Sequence, residues 1–318
     1  MKILVTCPPM IGRIEHYGET FRRKGWDVFC PQFKQVMGEA ELKKILPEYD
    51  GWIIGDDPAN RAVFGAGAAG RLKAAVRWGV GVDNVDFAAA KELQIPIENT
   101  PGVFGAEVAD VALGYVVMLA RSLHKIDQSV RSGKWFKPAG QSLAGKVMGV
   151  VGLGDIGRNV VKRALGFDFK IIGYDPFATP ASLGELAPRV QLAKWPERLG
   201  ELDYLVFACA LTPENRHMLN AERLAMCKAG MSIVNVARGP LIQESALIEA
   251  LRAGHIGAAG LDVFEKEPLD ASSELLKFEN VIVGSHNSSN TVEAVDKVSH
   301  MAIDKMERFL REKGALHG

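Results

Sequence analysis

An excess of charge of either sign is missing from this 318-residue chain: 38 Lys and Arg balance 38 Asp and Glu. No basic run stands out, so the sequence offers neither an electrostatic footprint for nucleic acid nor a basic face for a membrane. Long apolar runs are missing as well, and none approaches the roughly 20 residues that span a bilayer. The opening MKILVTCPP is too short an apolar run for a signal peptide and leads directly into structure. Cysteine is scarce. Cys7, Cys30, Cys209 and Cys227 lie far apart with no C-x-x-C pair, which argues against a disulfide framework or a zinc site and for a reducing cytoplasm. No metal is expected. Low-complexity segments and short-period repeats are also absent.

What is present is an ordinary supply of core. Hydrophobic residues make up 47% and charged residues 24%, as in soluble proteins of about two domains. Short apolar runs alternate with helical or turn-rich stretches almost from end to end. KILVT, WDVFC, GWIIG, LKAAVRWG and IPIEN form one series; KVMGVVGLG, KIIGYD, YLVFACA, MSIVNVA, GAAGLDVF and NVIVGSH form another. This alternation predicts parallel βα units. The expected class is α/β, with two Rossmann-like domains (flavodoxin-like plus dinucleotide-binding) built on doubly wound parallel sheets.

Between the series, Val108, Val111, Ala112, Tyr115, Val116 and Leu119 recur at helical spacing. Such a broad apolar face exceeds what one small domain obviously needs, so a homodimer through the helix after Thr100 is expected. A last helix carries Val295, Val298, Ala302, Met306 and Leu310, with Asn290 as its expected N-cap and Glu293 three residues on. The expected division is a discontinuous substrate-binding (lid) domain, 1–99 and 286–318, and a dinucleotide-binding domain, 100–285.

The clearest local signal is VMGVVGLGDIG, an apolar strand running into Gly152-x-Gly154-x-x-Gly157 and then a helix. The first glycine permits a tight turn, the second close approach of backbone to a pyrophosphate, and the third close helix–strand packing. Asp175 follows the next strand, KIIGYD, where a carboxylate accepts from a ribose diol and repels a 2′-phosphate. NAD is therefore expected rather than NADP. The competing reading is that Asp175 only caps a turn before Pro176.

Three segments place polar residues beyond apolar strands: Arg238 in IVNVARGPLI, Asp262 and Glu267 in GAAGLDVFEKEP, and His286 in VIVGSH. Ligands of doubly wound sheets bind outside the carboxyl ends of the strands, so these four are expected at one rim. His124, His217, His255 and His300 are assigned to surface or structural roles, Trp78 and Trp135 to packing, and Asp203 to a strand entry.

With these residues in view, the chain resembles the D-isomer-specific 2-hydroxyacid dehydrogenase family, which includes 3-phosphoglycerate dehydrogenases and glyoxylate or hydroxypyruvate reductases. The resemblance covers nearly the whole chain and rests on RWGVGVDNVD, NTPGVFGAEVAD, GLGDIG, ALTPENRHMLN, GSHNSSNT and the long block NVARGPLIQESALIEALRAGHIGAAGLDVFEKEPL. It implies an NAD-dependent enzyme in which Arg238 holds the substrate carboxylate, His286 is the acid–base, and Glu267 fixes the tautomer of His286. It further implies cofactor contacts from Gly152, Gly154, Asp155, Ile156, Gly157, Asp175, Ala210, Thr212, Val236, Ala237 and Asp262. The amides of Val80 and Gly81 would receive the carboxylate, and a homodimer is implied as well. The chain departs from the family pattern at Phe104 (commonly Asn), Asp110 (Glu), Ser285 (Pro) and Ala210 (Pro). In GDDPANR, Asp56 and Asp57 are expected to repel a phosphate, which favours a small unphosphorylated acid, with Arg61 able to offset them only by turning inward. The alternatives are a 3-phosphoglycerate dehydrogenase and a non-catalytic NAD(H)-sensing protein of the corepressor kind.

Overall fold

The computed structural model describes residues 1–33 and 35–315. The chain divides into two compact units, Met1–Val103 with the segment from Asn290 onward, and Phe104–Ser289.

The first unit holds strands β1 (Lys2–Val5), β2 (Asp27–Phe29), β3 (Gly51–Ile54), β4 (Ala74–Arg77) and β5 (Ile97–Asn99) in the order β2-β1-β3-β4-β5. All pairs are parallel, which is the flavodoxin-like order. Strands β3 and β4 are buried on both faces, hence the continuous apolar GWII and AAV. One face is covered by Leu42, Leu46, Val63 and Phe64, which pack with Trp52, Ile54 and Ala75. The other carries the helix Val292–Glu312, pressed so close that a Cβ on Gly51 would stand 2.7 Å from Met306 Sδ. That helix is capped at Thr291, whose Oγ1 accepts from Ala294 N at 3.1 Å. The cap expected at Asn290 thus falls one residue later, where the extended backbone lets a hydroxyl reach the third residue on.

The second unit holds β6 (Val147–Val151), β7 (Lys170–Tyr174), β8 (Val190–Leu192), β9 (Tyr204–Phe207), β10 (Met231–Asn235), β11 (Ile256–Leu261) and β12 (Val281–Val283). Their order is β12-β11-β10-β9-β6-β7-β8, again all parallel. Read from β8, this is the dinucleotide-binding order with one strand added, and the order reverses between β6 and β9.

The helix Gly105–Arg121 buries Val108, Ala109, Ala112, Leu113, Tyr115 and Val116. It does so within its own unit: a Cβ on Gly260 would touch the Tyr115 side chain, and one on Gly105 the Asp155 carboxylate. The apolar face expected to be left over for a dimer is therefore largely spent on the unit's own sheet and neighbouring helix. Exposed apolar side chains occur beyond it instead, at Leu123, Val130, Trp135 and Phe136. Trp135, expected to pack, is 77% exposed; Trp78 is buried and donates to Ser299 Oγ at 3.1 Å. Among the described residues, no helix is long and apolar enough to cross a membrane.

Candidate active site

Because every strand of the seven-stranded sheet is parallel, the carboxyl ends of β12, β11, β10, β9 and β6 form one rim in that order. Each end carries a polar or glycine-rich turn.

At β6 the chain turns at Gly152 with φ +89°, and a Cβ there would stand 2.7 Å from the Cys209 backbone. A Cβ on Gly157 would fall 1.8 Å from Gly152 O. Both positions require glycine, one for the dihedral and both for space. Gly154 has open space on its side-chain face and stands at the start of the helix Asp155–Leu165, with no side chain capping that end. An eleven-residue helix then offers its first N–H groups outward, the arrangement that receives a pyrophosphate. Asp175 does two things. Its Oδ2 accepts from Leu153 N at 2.7 Å and its Oδ1 from Phe177 N at 2.8 Å, so it ties the glycine turn to the end of β7. Each oxygen keeps a lone pair for a ribose hydroxyl. The residues present fit a dinucleotide.

At β9, Ala210 and Thr212 are exposed. Asn215 holds their loop, taking Thr212 N on Oδ1 and donating to Ala210 O, both at 2.7 Å. Cys209 lies beneath, and burial pushes its thiol up to about 12. It is not an anionic nucleophile there.

At β10, buried Asn235 shapes the turn that presents Arg238. Its Oδ1 accepts from Ala237 N at 3.0 Å and its Nδ2 donates to Arg238 O at 2.9 Å. Val236 and Ala237 are buried, Arg238 half-buried. The R-G-P sequence has a steric reason: a Cβ on Gly239 would lie 1.9 Å from the Phe264 carbonyl carbon. The Arg238 turn therefore rests directly on the loop that leads to Glu267.

At β11 and β12 the expected pair forms. His286 Nδ1 and Glu267 Oε2 are 2.8 Å apart, and Glu267 Oε1 accepts from Phe264 N at 3.0 Å. Both side chains are about three-quarters buried. His286 sits at φ +55°, a left-handed conformation that a non-glycine residue adopts only when its surroundings impose it. Asp262 imposes it. Its carbonyl accepts from His286 N at 2.7 Å, its Oδ1 from Asn287 N at 3.1 Å, and its Oδ2 from Ser288 N at 2.9 Å and from Ser288 Oγ. Gly284 is where the strand passes this anchor; a Cβ there would fall 2.3 Å from Asp262 Oδ1 and 2.4 Å from Tyr115 Oη. The Asp262 carboxylate is buried, and the Tyr115 hydroxyl, desolvated and facing it, is held well above its ordinary pKa. Asp262, expected to meet the cofactor, is thus engaged in holding the histidine loop.

Asn215, Asn235 and Ser288 were not singled out from sequence, and Tyr115 only as part of an apolar helix face. Asn235 had a signal, an amide closing the apolar run just before V-A-R. Asn215 acts within its own loop, and Tyr115 and Ser288 meet the Asp262 carboxylate, which is distant from them in the chain.

Val80 and Gly81 lie in the first unit, in the turn after β4, where Val80 is exposed and its carbonyl accepts from Asn99 Nδ2 at 2.9 Å. The two aspartates after β3 are not free acids. Asp57 is fully buried and takes Met37 N and Gly55 N at 2.7 and 3.2 Å. Asp56 pairs with the buried Arg77 guanidinium at 2.6 Å, while Arg61 turns to Glu92. The expected repulsion of a phosphate loses its basis, since one carboxylate is structural and the other is neutralised. His124 and His255 meet main-chain carbonyls of Glu279 and Leu224, and Asp203 accepts from Val147 N at a strand entry.

Residues 113–288 match the family described as "D-isomer specific 2-hydroxyacid dehydrogenase, NAD binding domain". The chain is 38% identical to a hydroxypyruvate reductase of Thermotoga maritima over 86% of its own length and 88% of the relative's. It is 39% identical to a D-3-phosphoglycerate dehydrogenase of Methanocaldococcus jannaschii over 76% of its length, but spans only 46% of that protein. The apo-structure of D-lactate dehydrogenase from Escherichia coli superposes with a TM-score of 0.83 at 30% identity, covering 99% of this chain and 98% of the other. The NAD-binding rim, the two parallel sheets and these relatives agree: the chain belongs to the D-isomer-specific 2-hydroxyacid dehydrogenases, NAD-dependent oxidoreductases.

Proposed function

We propose that this protein interconverts a small unphosphorylated 2-oxo acid and its D-2-hydroxy acid, with His286 as acid–base, Glu267 as its orienter and Arg238 as carboxylate anchor. The observation that carries the reading is the Glu267–His286 bond on the same strand rim as the Gly152 turn. With Nδ1 facing Glu267, Nε2 is the nitrogen that would serve substrate. In reduction it gives its proton to the oxygen on which charge develops; in oxidation it takes the hydroxyl proton. Bound NADH supplies the hydride, and NAD⁺ accepts it in the reverse direction. Arg238 offers a planar fork of donors to the carboxylate and polarises the 2-oxo group. Asp175 and the amides at the start of the helix Asp155–Leu165 would hold the dinucleotide.

The substrate class is supported by the match to a hydroxypyruvate reductase along most of both chains and by matches to glyoxylate reductases. Buried Phe104, where the family commonly has Asn, adds an apolar side chain at the start of its helix. The homodimer is assigned to the exposed Leu123, Val130, Trp135 and Phe136 rather than to the helix face. A cytoplasmic setting suits four cysteines with no disulfide between them.

The test is NADH consumption, followed by absorbance, with hydroxypyruvate, glyoxylate, pyruvate and 3-phosphohydroxypyruvate. Turnover of one of the first three is expected. Activity confined to the phosphorylated acid would overturn the substrate class. The His286→Gln enzyme should lose about 10²–10⁴ in kcat, and an unchanged kcat would overturn the acid–base assignment.

A further inference from the structure

The first unit gathers three metal-ligating side chains that the reaction does not use. His16 lies in the short helical turn Ile14–Tyr17, while Asp296 and His300 sit one turn apart on the helix Val292–Glu312. Their donor atoms all lie within 4.8 Å of one another. His16 Nε2 is 3.1 Å from Asp296 Oδ1, and His300 Nε2 is 3.8 Å from the same oxygen.

We propose that His16, Asp296 and His300 form a binding site for a borderline divalent cation, Zn²⁺ foremost, which clips the N-terminal turn to the C-terminal helix. Three features of the cluster carry this. First, the spacing fits: metal–ligand bonds of about 2.1 Å place the donors of a tetrahedral site about 3.4 Å apart, so small rotations of these side chains suffice. Second, Asp296 Oδ1 is shut off from solvent and accepts no hydrogen bond, since the His16 ring at 3.1 Å is misaligned for one. A buried carboxylate oxygen without a donor is costly, and a cation between the two rings would satisfy it. Third, the ligands are preset. Buried Tyr17 packs edge-on against both imidazoles, with centroids 5.3 Å from His16 and 5.5 Å from His300. This limits the rotation of both rings.

The donor set names the ion. Two imidazoles and one carboxylate suit zinc, nickel or copper rather than calcium or magnesium, which prefer oxygen shells. The side chains remain 37–55% exposed, so the ion has an entry path and water can complete its shell. A clip between residues so far apart in sequence closes a long loop, the case in which such a link stabilises most. The metal expected to be absent from the cysteine pattern is thus assigned to a histidine–carboxylate pattern that only the fold assembles.

The test uses the whole chain and Zn²⁺ alone, titrated in competition with a chromophoric chelator. One equivalent should bind to the wild type, and the double variant His16→Gln/His300→Gln should bind at least about tenfold more weakly. These side chains are exposed enough for the double variant to fold, which circular dichroism checks. Zinc should raise Tm in the wild type and leave the double variant unmoved. His286→Gln should bind zinc as the wild type does. No binding by the wild type, equal binding by the double variant, loss of binding in His286→Gln, or sulfur in the zinc X-ray absorption spectrum would each overturn the site.

Discussion

Glu267 and His286 are 19 positions apart, yet Oε2 of one stands 2.8 Å from Nδ1 of the other, while the second glutamate oxygen is held by Phe264 N. That pair of contacts leaves a glutamine at 267 one way to sit. Its amide oxygen must face the Phe264 N–H, so its NH₂ faces Nδ1 and forces that nitrogen to accept. The ring proton then moves to Nε2, which can no longer take a proton from a hydroxyl. Glu267→Gln is expected to lower kcat for oxidation of the D-2-hydroxy acid by about 10²–10⁴, with KM little changed. Steady-state rates in both directions across pH check this; wild-type oxidation by the variant would show that Glu267 does not set the tautomer.

Asp262 carries a different prediction, because its contacts are to the backbone of the histidine loop. Asp262→Ala removes the acceptor of Asn287 N, Ser288 N and Ser288 Oγ in a buried setting. At about 1–3 kcal/mol for each of the three donors left without a partner, the loss should come to at least about 3 kcal/mol. A lowered urea midpoint with faster hydrogen exchange at the 286–288 amides would confirm the anchor. A midpoint unchanged from the wild type would contradict it.

What the sequence revealed, and what it concealed, divides along physical lines. The glycine turn at 152–157, the strand series and the Arg238, Glu267 and His286 positions were readable because each depends on local spacing or on where an apolar run ends. The backbone contacts of Asp262 and Asp57 were not, since a carboxylate's partners are backbone groups brought in by folding. Both are almost fully buried, where only hydrogen bonding makes an acid tolerable. The helix Gly105–Arg121 shows a related limit: periodicity shows that a face is apolar, not which surface covers it.

Asp175 tests the cofactor side. Its charge lies at the end of β7, with both oxygens already accepting from Leu153 N and Phe177 N. Asp175→Ala should weaken NADH binding by loosening that turn, and should also lift the repulsion of a 2′-phosphate. The ratio of kcat/KM for NADH over NADPH is expected to fall by about tenfold, or about 1.4 kcal/mol. Rates with both cofactors over a range of concentrations give the ratio directly, and an undiminished preference would assign selection against the phosphate to another residue.

Asp57 makes stability depend on pH in a direction opposite to the usual acid effect. Burial is the largest influence and pushes its pKa from 3.8 up to about 6, despite the N–H groups of Met37 and Gly55. Between those two values the folded chain holds a proton that the unfolded chain has released. The neutral carboxyl's contribution is therefore complete below about pH 4 and is lost as pH rises through about 6. Two pKa units correspond to about 3 kcal/mol in all, of which about 1.4 kcal/mol falls between pH 7.5 and pH 5. Other groups titrate over the same range, so the comparison must be with Asp57→Asn, which has no proton to gain. Urea midpoints of the two proteins should diverge on going from pH 7.5 to pH 5, with the wild type gaining. Parallel curves would place the proton uptake elsewhere and leave Asp57 charged in the folded protein.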